Sequence, residues 1–412
     1  MRALVRIALV ALFALPFSAC SDKADLLRPK ASAELLIPFD PVLRPPKILL
    51  PNPEDFVEIT AGFYHTCARK NNNKVYCWGR DAEGQVGLGT TKICASSGAL
   101  CIDKPSYVMD ARVVDAGGFH ACALDSANAA FCWGSSSHGQ VGAGSYGTIS
   151  SPVPVSGGLT FTSISAGQFS SCATASAGMY CWGAIVSGGG AALTGSPTPS
   201  QISTYNGYNS VSVGYLHACG YYSIGIYRGV DCWGNNRFGQ AGSDPMTFPI
   251  VPFTLASGFG TPNAKASTEV DFTCADIEDG TVQCMGYNGW GQLGNGQSGG
   301  STHVAQSVGS GKQLHGVSVG TNHACALDPN GAIYCWGNGY HGQLGNNASG
   351  IYAAPQLVTG GRTYRAVAAG YLHTCAIGTD NHIYCWGNNY NGQLGTQYPG
   401  GWVSNPVQSI DP

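Results

Sequence analysis

Charged side chains are scarce in this chain. Asp, Glu, Lys and Arg make up 10% of its 412 residues, whereas an average soluble domain has about 25%. The formal net charge is −3, and the 20 lysines and arginines do not cluster. Because a surface that follows nucleic-acid phosphates needs clustered basic residues, we expect no nucleic-acid partner.

Motifs for catalysis and metal binding are also lacking. The chain has no Cys-x-x-Cys pair, which argues against a thioredoxin-like redox site, and no His-Glu-x-x-His motif. Its 23 acidic residues are spread along the sequence and form no carboxylate pair at matching strand ends. We therefore expect a protein that is not an enzyme and that holds no metal or cofactor.

Long apolar runs are missing after residue 20, so we expect no transmembrane helix beyond that point. Residues 1–20 begin with a basic stretch, continue with an apolar run that ends at Phe17, and finish on small residues. This order predicts a secretory signal peptide. The last four residues, Phe-Ser-Ala-Cys at 17–20, resemble the lipobox of bacterial lipoproteins, which implies lipid attachment to Cys20.

Lipid on Cys20 predicts a place on the cell envelope, and Ser21, rather than Asp, favours the outer membrane by analogy with such lipoproteins. Phe17 replaces the usual leucine, so ordinary signal cleavage and secretion are the alternative. Residues 21–50 contain five prolines and little periodicity. They predict a tether between the lipid and a folded body at residues 51–412.

What the sequence has in abundance is a repeat of about fifty residues. Cys-Trp-Gly occurs six times and Cys-Met-Gly once, each preceded by another cysteine. Successive first cysteines are 47 to 55 residues apart, a period typical of propellers and solenoids. The seven cysteine pairs are Cys67–Cys77, Cys122–Cys132, Cys172–Cys181, Cys219–Cys232, Cys274–Cys284, Cys325–Cys335 and Cys375–Cys385.

Each repeat contains four predicted strands, which we call A to D. In residues 352–387, strand A contains Pro355, B starts at Tyr364, C at His373 and D at His382. Gly, Pro, Asn and Asp separate the strands, a pattern that predicts a four-stranded antiparallel sheet. Seven such sheets set radially form an all-β, seven-bladed propeller.

The unit Val-x-Ala-Gly-x-x-His-x-Cys-Ala … Tyr-Cys-Trp-Gly-Asn … Gly-Gln-Leu-Gly resembles the regulator of chromosome condensation repeat family. This resemblance covers about residues 51–412 and implies a seven-bladed β-propeller. The third unit has Ser170 in place of the histidine, and the fifth has Glu269 and Phe272 in place of the glycine and the histidine. We expect residues 406–410 to complete the first blade and close the ring; the competing strand is Lys47–Leu50.

The spacing of the cysteines fits disulfides across hairpins. Opposed residues on antiparallel strands have Cα atoms about 4.5–5.5 Å apart, and a disulfide needs about 4.4–6.8 Å. Cys94 and Cys101 lie together in one insertion and are expected to form an eighth pair. Such bonds persist in the compartments that exported proteins reach, and each should add about 2–3 kcal/mol. The alternative is a set of buried free thiols.

The repeated tryptophans and histidines are interpreted as structural. We expect the tryptophans to pack between neighbouring blades. The histidines lie on different blades and cannot converge on a metal, so we expect them to be buried and hydrogen-bonded. The tryptophans are Trp78, Trp133, Trp182, Trp233, Trp336 and Trp386, and the histidines are His65, His120, His217, His323 and His373.

Strand direction assigns the connections to the two faces of the ring. Because consecutive strands run in opposite directions, the B–C loops and D–A links emerge on one face of the ring, which we call the loop face. The A–B and C–D turns emerge on the opposite face, which we call the turn face. The loop face collects the Cys94–Cys101 insertion and many aromatic residues, which predicts a protein-binding surface. The alternative is that these residues fold down to plug the central channel. The residues are Phe63, Tyr64, Phe119, Phe169, Tyr215, Phe238, Trp290, Tyr340, Tyr371 and Tyr390.

The leading functional hypothesis is a lipid-anchored propeller that binds a protein of the envelope or a secreted protein, with the lipid as its only contact with the membrane. Some exported bacterial members of the resembling family inhibit enzymes, which supports a protein partner. The resemblance also implies a guanine-nucleotide exchange factor-like regulator, but the predicted export argues against that role. A glycan or cell-wall binder is the third hypothesis, because aromatic surfaces also stack on sugars.

Mass spectrometry of the protein from its host, alkylated without prior reduction, tests the predicted export. We expect a lipid-modified N-terminus at Cys20 and no alkylation of the sixteen other cysteines. An intact Met1 with alkylated cysteines would contradict the signal peptide, the disulfides and the localisation together.

Overall fold

The computed structural model describes residues 52–89, 92–184, 195–224, 227–244, 254–255, 262–397 and 399–412. Within these residues, twenty-eight strands form seven four-stranded antiparallel sheets, which we number blades I to VII in chain order. The predicted all-β, seven-bladed propeller with hairpin disulfides is confirmed. The described residues contain no helix that is both long and apolar enough to cross a membrane.

Each blade consists of four consecutive strands, and the first strand lies nearest the ring axis. The first strands of blades I to VII are β1 (Phe56–Ala61), β5 (Val113–Ala116), β9 (Ser163–Ala166), β13 (Tyr208–Val213), β17 (Pro262–Thr268), β21 (His315–Val319) and β25 (Tyr364–Ala369). The second strands are β2 (His65–Lys70), β6 (His120–Leu124), β10 (Ser170–Ala175), β14 (His217–Ile224), β18 (Phe272–Ile277), β22 (His323–Leu327) and β26 (His373–Gly378).

The third strand of each blade carries the Cys-Trp-Gly or Cys-Met-Gly sequence, and the fourth forms the outer edge. The third strands are β3 (Lys74–Arg80), β7 (Ala130–Ser135), β11 (Gly178–Gly183), β15 (Tyr227–Gly234), β19 (Val282–Tyr287), β23 (Ile333–Asn338) and β27 (Ile383–Asn388). The fourth strands are β4 (Cys101–Asp110), β8 (Thr148–Pro154), β12 (Ser196–Ser203), β16 (Thr254–Leu255), β20 (Ser301–Ser307), β24 (Ile351–Leu357) and β28 (Trp402–Gln408).

The predicted order of strands within a blade is wrong by one strand. Strand A, expected to begin each sheet, instead pairs with strand D of the repeat before it and forms the outer edge of that blade. For example, β24, which contains Pro355, pairs with β23, and Leu357 lies opposite Tyr334. The physical reason is that the D–A link folds back as an antiparallel connection, whereas the A–B connection crosses to the next blade.

The predicted ring closure is wrong as well. β28 pairs with β27 of its own blade VII, where Gln408 lies opposite Tyr384, and blade I is completed by β4. The last strand reaches the edge of its own sheet through a direct link, so β28 is not exchanged between blades. The competing strand Lys47–Leu50 lies outside the described residues, as do the predicted signal peptide, the tether and Cys20.

Blades VII and I are instead joined by side chains and main-chain groups. The hydroxyl of Thr66 in blade I donates to the main-chain oxygen of Gln393 at 3.0 Å and lies 2.9 Å from Nε2 of His373. The guanidinium of Arg365 in blade VII donates to the main-chain oxygen of Phe56. Among the residues that the structure describes, the ring is therefore closed without a covalent bond or an exchanged strand.

Buried tryptophans connect five of the seven blades to the blade before them. In five blades the indole Nε1–H donates to the main-chain oxygen of a glutamine in the D–A link of the preceding blade, at 2.8 to 3.0 Å. These bonds are Trp78 to Gln393, Trp133 to Gln85, Trp182 to Gln140, Trp336 to Gln292 and Trp386 to Gln343. These five tryptophans thus pack between blades, as expected, and their only polar group is satisfied there. Trp233 also packs between blades, against Cys172 and Met179 of blade III.

Four of the five repeated histidines bond across blade boundaries through Nε2. Their partners are hydroxyls of the next blade, in the pairs His120–Ser171, His217–Thr273, His323–Thr374 and His373–Thr66, at 2.7 to 2.9 Å. Each hydroxyl also donates to a glutamine main-chain oxygen. Because a hydroxyl has one proton to give, the imidazole must donate from Nε2–H. The remaining Nδ1 atoms are buried without a partner among the described residues.

His65 departs from this pattern. The equivalent position in the next blade is Ala121, which has no hydroxyl, and neither ring nitrogen of His65 has a hydrogen-bond partner among the described residues. Burial lowers the pKa of His65 to about 4 and that of the other four histidines to about 3. All five are therefore neutral at neutral pH.

All sixteen cysteines of the described residues are paired as predicted. In each of the seven hairpins the two cysteines lie directly opposite each other on the second and third strands, with Cα atoms 4.1 Å apart. The Cα atoms of Cys94 and Cys101 are 5.6 Å apart. Each disulfide lies within one blade, so the bonds stabilise hairpins and do not link neighbouring blades.

Acid should destabilise the ring through these histidines. A histidine whose pKa is lower in the folded state stabilises the protein fully above its unfolded pKa, near 6.5, and loses that contribution as the pH falls toward about 3. At pH 5 the loss is about 2 kcal/mol per histidine. We expect the free energy of unfolding, measured in denaturant at pH 7 and pH 5, to fall less with acid in His323→Gln than in the wild type.

A matched variant separates this titration from the loss of a hydrogen bond. Thr374→Val removes the partner of His323 but retains the imidazole, so it should lower stability at both pH values and keep the full acid dependence. An acid dependence in His323→Gln equal to that of the wild type would contradict the assignment.

Candidate binding surface on the loop face

Six aromatic rings from the B–C loops of five neighbouring blades form one continuous row, which we call the aromatic belt. It runs from blade VII through blades I, II and III to blade IV. The centroid distances along it are 5.3 Å for Tyr371–Phe63, 5.4 Å for Phe63–Phe119, 6.5 Å for Phe119–Phe169 and 5.6 Å for Phe169–Tyr215, and Tyr64 lies 5.5 Å from Tyr371 and 6.2 Å from Phe119. The belt is therefore one surface, although its members come from five separate repeats.

The belt is continuous because a glycine precedes each loop and lets adjacent blades approach closely. A Cβ atom added to Gly62 would lie 2.2 Å from the main-chain oxygen of Gly117 in the next blade. Main-chain bonds use the same closeness, since the N–H of Tyr371 donates to the oxygen of Gly62 at 3.3 Å. The loops that carry the rings are thus held against one another.

The belt residues differ in how much of each ring is open to solvent. Phe63 is only 7% exposed and contacts three other rings of the belt. It therefore points inward, which agrees with the alternative that some of these residues fold down into the ring. Tyr64, Phe119, Phe169, Tyr215 and Tyr371 are half-buried. Phe63 therefore supports the belt from below, and the other five present a ring edge or face at the surface.

The D–A links contribute a second, outer group of rings from blades IV to VII, namely Phe238, Trp290, Tyr340 and Tyr390. Trp290 and Tyr340 are in edge contact at 6.4 Å, and Phe238 packs on Tyr287 at 4.9 Å. Tyr340 and Tyr390 are 50% and 43% exposed. No ring contact among the described residues joins this outer group to the belt.

The two groups complement each other around the ring. The B–C loops of blades V and VI, residues 269–271 and 320–322, carry no aromatic ring. The outer residues Trp290 and Tyr340 come from these two blades. Every blade therefore places at least one predicted aromatic residue on the loop face.

The Cys94–Cys101 insertion of blade I also lies on the loop face. The hydroxyl of Ser96 donates to the main-chain oxygen of Tyr390 at 2.6 Å, which places the insertion against the D–A link of blade VII. The insertion thus covers the boundary where the ring closes.

Sequence reasoning missed the polar residues that hold the belt. Arg80 donates two hydrogen bonds to the carboxylate of Glu83, at 2.9 and 2.7 Å, and lies 5.9 Å from the ring centroid of Tyr64. His138 packs 4.6 Å from Phe169. The available signal was position, because Arg80, the last residue of β3, directly follows Cys77-Trp78-Gly79, and His138 lies in the D–A link a few residues after Cys132-Trp133-Gly134.

Sequence reasoning also missed exposed apolar residues at the rim of this face. Ile93 in the insertion, Tyr146 in the D–A link of blade II, and Trp402 at the start of β28 all expose more than a third of their surface. They were overlooked because they fall outside the B–C and D–A positions that repeat from unit to unit.

The described residues offer little for catalysis. One Gly-x-Ser-x-Gly sequence occurs at Gly296–Gly300, but it lies in the link between β19 and β20 and not between a strand and a helix, where such a serine serves as a nucleophile. No three His, Cys, Asp or Glu side chains of the described residues lie close enough together to hold a metal ion.

Comparisons of the sequence with known families agree with the geometry. Two profiles of the regulator of chromosome condensation (RCC1) repeat match, one at residues 56–85, 112–140, 315–343 and 364–393 and the other at 72–124, 128–174 and 330–377. The chain carries regulator of chromosome condensation repeats. The matches fall on blades I and II, the first two strands of blade III, and blades VI and VII, and neither profile matches blade IV or V.

Relatives and solved structures share the repeat or the fold. The human E3 ubiquitin-protein ligase HERC2 is 28% identical over 320 residues, which are 73% of this chain but only 6% of the ligase. The ultraviolet-B receptor UVR8 of Arabidopsis thaliana is 26% identical over 71% of this chain and 67% of the receptor. Human WBSCR16 has a TM-score of 0.70 at 19% identity, covering 82% of this chain and 95% of that one. Yeast RCC1 (Prp20), in its structure with Kap60, has 0.69 at 18%, covering 82% and 83%.

Replacing single aromatic residues by alanine should distinguish a ring that supports the belt from one that is exposed at the surface, by the effect on stability. Phe63→Ala removes a buried ring from the centre of the belt and should lower the free energy of unfolding by about 3 kcal/mol. Tyr390→Ala removes an exposed ring of the same face and should change it by no more than about 0.5 kcal/mol. Denaturant unfolding of both variants tests this, and equal effects would contradict the division.

Proposed function

We propose that this chain is a non-enzymatic, protein-binding propeller that is displayed on the bacterial cell envelope through lipid on Cys20, with its partner docking on the loop face. The observation that carries the proposal is the aromatic belt, which joins five blades into one continuous surface.

The chemistry of the belt suits a protein partner. Tyrosine and phenylalanine rings present large apolar areas, and tyrosine adds a hydroxyl that bonds at the rim of an interface. Contiguous exposed aromatic surface is costly in water and marks interaction sites. The outer residues Tyr340 and Tyr390 extend such contacts toward the ring's edge.

The belt is also ordered before any partner arrives. Phe63 holds its neighbours from below, and the Arg80–Glu83 pair fixes one side of Tyr64. Side chains that are already immobilised lose less conformational entropy when they bind. A surface of this kind favours a partner whose interface needs little rearrangement.

Fold-level likeness supports a protein partner without identifying it. The yeast propeller that resembles this chain was crystallised bound to Kap60, and a second structure of Prp20p is described with its binding properties to Gsp1p and histones. These partners belong to those proteins. By analogy at the level of the fold, we propose that this ring also binds a protein.

Export is supported by the disulfides and by the predicted signal peptide. Eight disulfides in one chain are typical of proteins that fold in an oxidising compartment. The predicted signal peptide and Cys20 supply a route to the envelope and an anchor there. The exchange-factor alternative would need reduced cysteines and a cytosolic chain.

Photo-cross-linking in cells of the host tests the docking face with a matched control. Benzoylphenylalanine in place of Tyr390, 43% exposed on the loop face, should give a discrete protein adduct. The same residue in place of Tyr205, 42% exposed on the turn face between β12 and β13, should give none. Adducts from Tyr205 alone, or a glycan-containing adduct from Tyr390, would overturn the proposal.

The role of the belt is tested by measuring how tightly belt variants bind the partner that the cross-linking identifies. Simultaneous replacement of Phe169, Tyr215 and Tyr371 by alanine should abolish binding in a titration with the purified partner while the ring stays folded. Unchanged affinity in the triple variant would show that the partner docks elsewhere.

A further inference from the structure

A cavity of about 430 Å³ lies on the axis of the ring, inside the first strands of all seven blades. Its wall is polar, with hydroxyls from Thr60, Ser165, Ser212 and Ser267 and with apolar side chains such as Val213 between them. Four carboxylic acids also line it, whereas the aromatic belt does not. The cavity is therefore separate from the surface described above. The acids are Glu58, Asp115, Glu269 and Asp276.

Most charged groups around the cavity already have partners. Arg365 donates to the main-chain oxygens of Phe56 and Gly378. The carboxylate of Glu58 pairs with Arg69 at 2.8 Å. Asp276 accepts main-chain N–H groups from Gly316 and Val317. His315 also lines the cavity and is exposed.

Asp115 lies between blades I, II and III. One of its carboxylate oxygens accepts the Thr60 hydroxyl at 2.9 Å, and the other accepts the main-chain N–H of Ala166 at 2.9 Å. Each oxygen can accept a second hydrogen bond. Asp115 is thus held in place and retains acceptor capacity toward the cavity.

Glu269 stands where the other six blades have a glycine. In those blades a Cβ atom would come within 2.1 to 2.4 Å of a main-chain oxygen of the next blade. In blade V a full glutamate occupies the position, and its Oε2 atom is buried with no hydrogen-bond partner among the described residues. Burial, and secondly the charge of Asp115, raise the pKa of Glu269 to about 8. The carboxyl groups of Asp115 and Glu269 therefore face the same cavity. No lysine, arginine or histidine among the described residues bonds to Glu269.

A bound cation would offset the cost of burying the Glu269 carboxylate without a partner. The structure also restricts which kind of cation fits the cavity. A metal ion needs several close ligands, but the described residues bring no three suitable side chains together. An ammonium group needs only hydrogen-bond acceptors on a few sides. Along the strand direction, Glu58 lies two residues from Thr60 toward the turn face, and Glu269 lies two residues beyond Ser267 toward the loop face. The acids are thus spread along the axis, which suits a linear cation.

We propose that the axial cavity binds a small linear aliphatic diamine, with one ammonium group between Glu269 and Asp115 and the chain lying along the axis against the apolar wall residues. The second ammonium group lies toward Glu58 and Asp276 at the other end. This ligand class is independent of the protein partner on the loop face.

Calorimetric titration of the folded chain with putrescine tests the site. We expect saturable binding at one site, none with the neutral isostere 1,4-butanediol, and an affinity lower by about tenfold or more in Glu269→Gln, which loses a charged acceptor. Asp115→Asn should also weaken binding. Glu278→Gln is the control, because Glu278 is an exposed acid paired with Arg228 at 3.1 Å and does not line the cavity.

Proton release supplies a second measurement. Glu269 is mostly protonated at neutral pH when the cavity holds no cation, so an ammonium group that favours its ionised form should release a proton. The heats measured in phosphate and in Tris should therefore differ for the wild type and agree for Glu269→Gln. Asp115, Glu58, Asp276, His315 and Arg365 also face the cavity, so Asp115→Asn is titrated in both buffers as well.

Three results would overturn the proposal. The first is the absence of saturable heat up to about 10 mM putrescine. The second is equal affinity in the wild type and Glu269→Gln. The third is equal weakening in Glu278→Gln, which would indicate diffuse attraction to an acidic surface. None of these results bears on docking at the loop face.

Discussion

The ring depends on the hydrogen bond that a buried indole makes with a main-chain oxygen of the blade before it. The tryptophan stands directly after the second cysteine, and the accepting glutamine stands in the Gly-Gln sequence of the preceding D–A link, as with Trp133 and Gln85. The repeat therefore encodes both halves of one contact between blades. Where it departs, as at Met285 in blade V, the indole donor is lost. A blade has two faces to bury and can do so only against its neighbours, so this contact decides how the sheets are arranged.

Much of the fold follows from the sequence because its signals are local and repeated seven times. The hairpins were predictable because each cysteine pair brackets a turn, and strand direction alone placed the B–C and D–A connections on one face. The grouping of strands into blades was not predictable. Strand A has the same pattern whether it pairs with the strand before it or with the one after it, as Pro355 in β24 illustrates. The closure error at residues 406–410 has the same origin.

The candidate sites were only partly predictable for a related reason. The aromatic residues could be assigned to the loop face one by one, but their assembly into a belt depends on how closely adjacent loops approach. That distance is set by glycines such as Gly62 and Gly117 acting in pairs across blades. In blade V, Glu269 replaces this glycine and places a carboxyl group at the axial cavity, a placement that only the assembled ring reveals.

Closure between two complete blades has a consequence for how such a ring can be rearranged. Because β28 pairs inside blade VII and β4 completes blade I, the interruption of the chain at this boundary divides no sheet. Each of the other six boundaries is crossed by a single covalent connection and otherwise uses the same kinds of contact. The architecture is therefore suited to circular permutation, in which old ends are fused and new ones opened between any two blades, and to growth or shrinkage by whole blades.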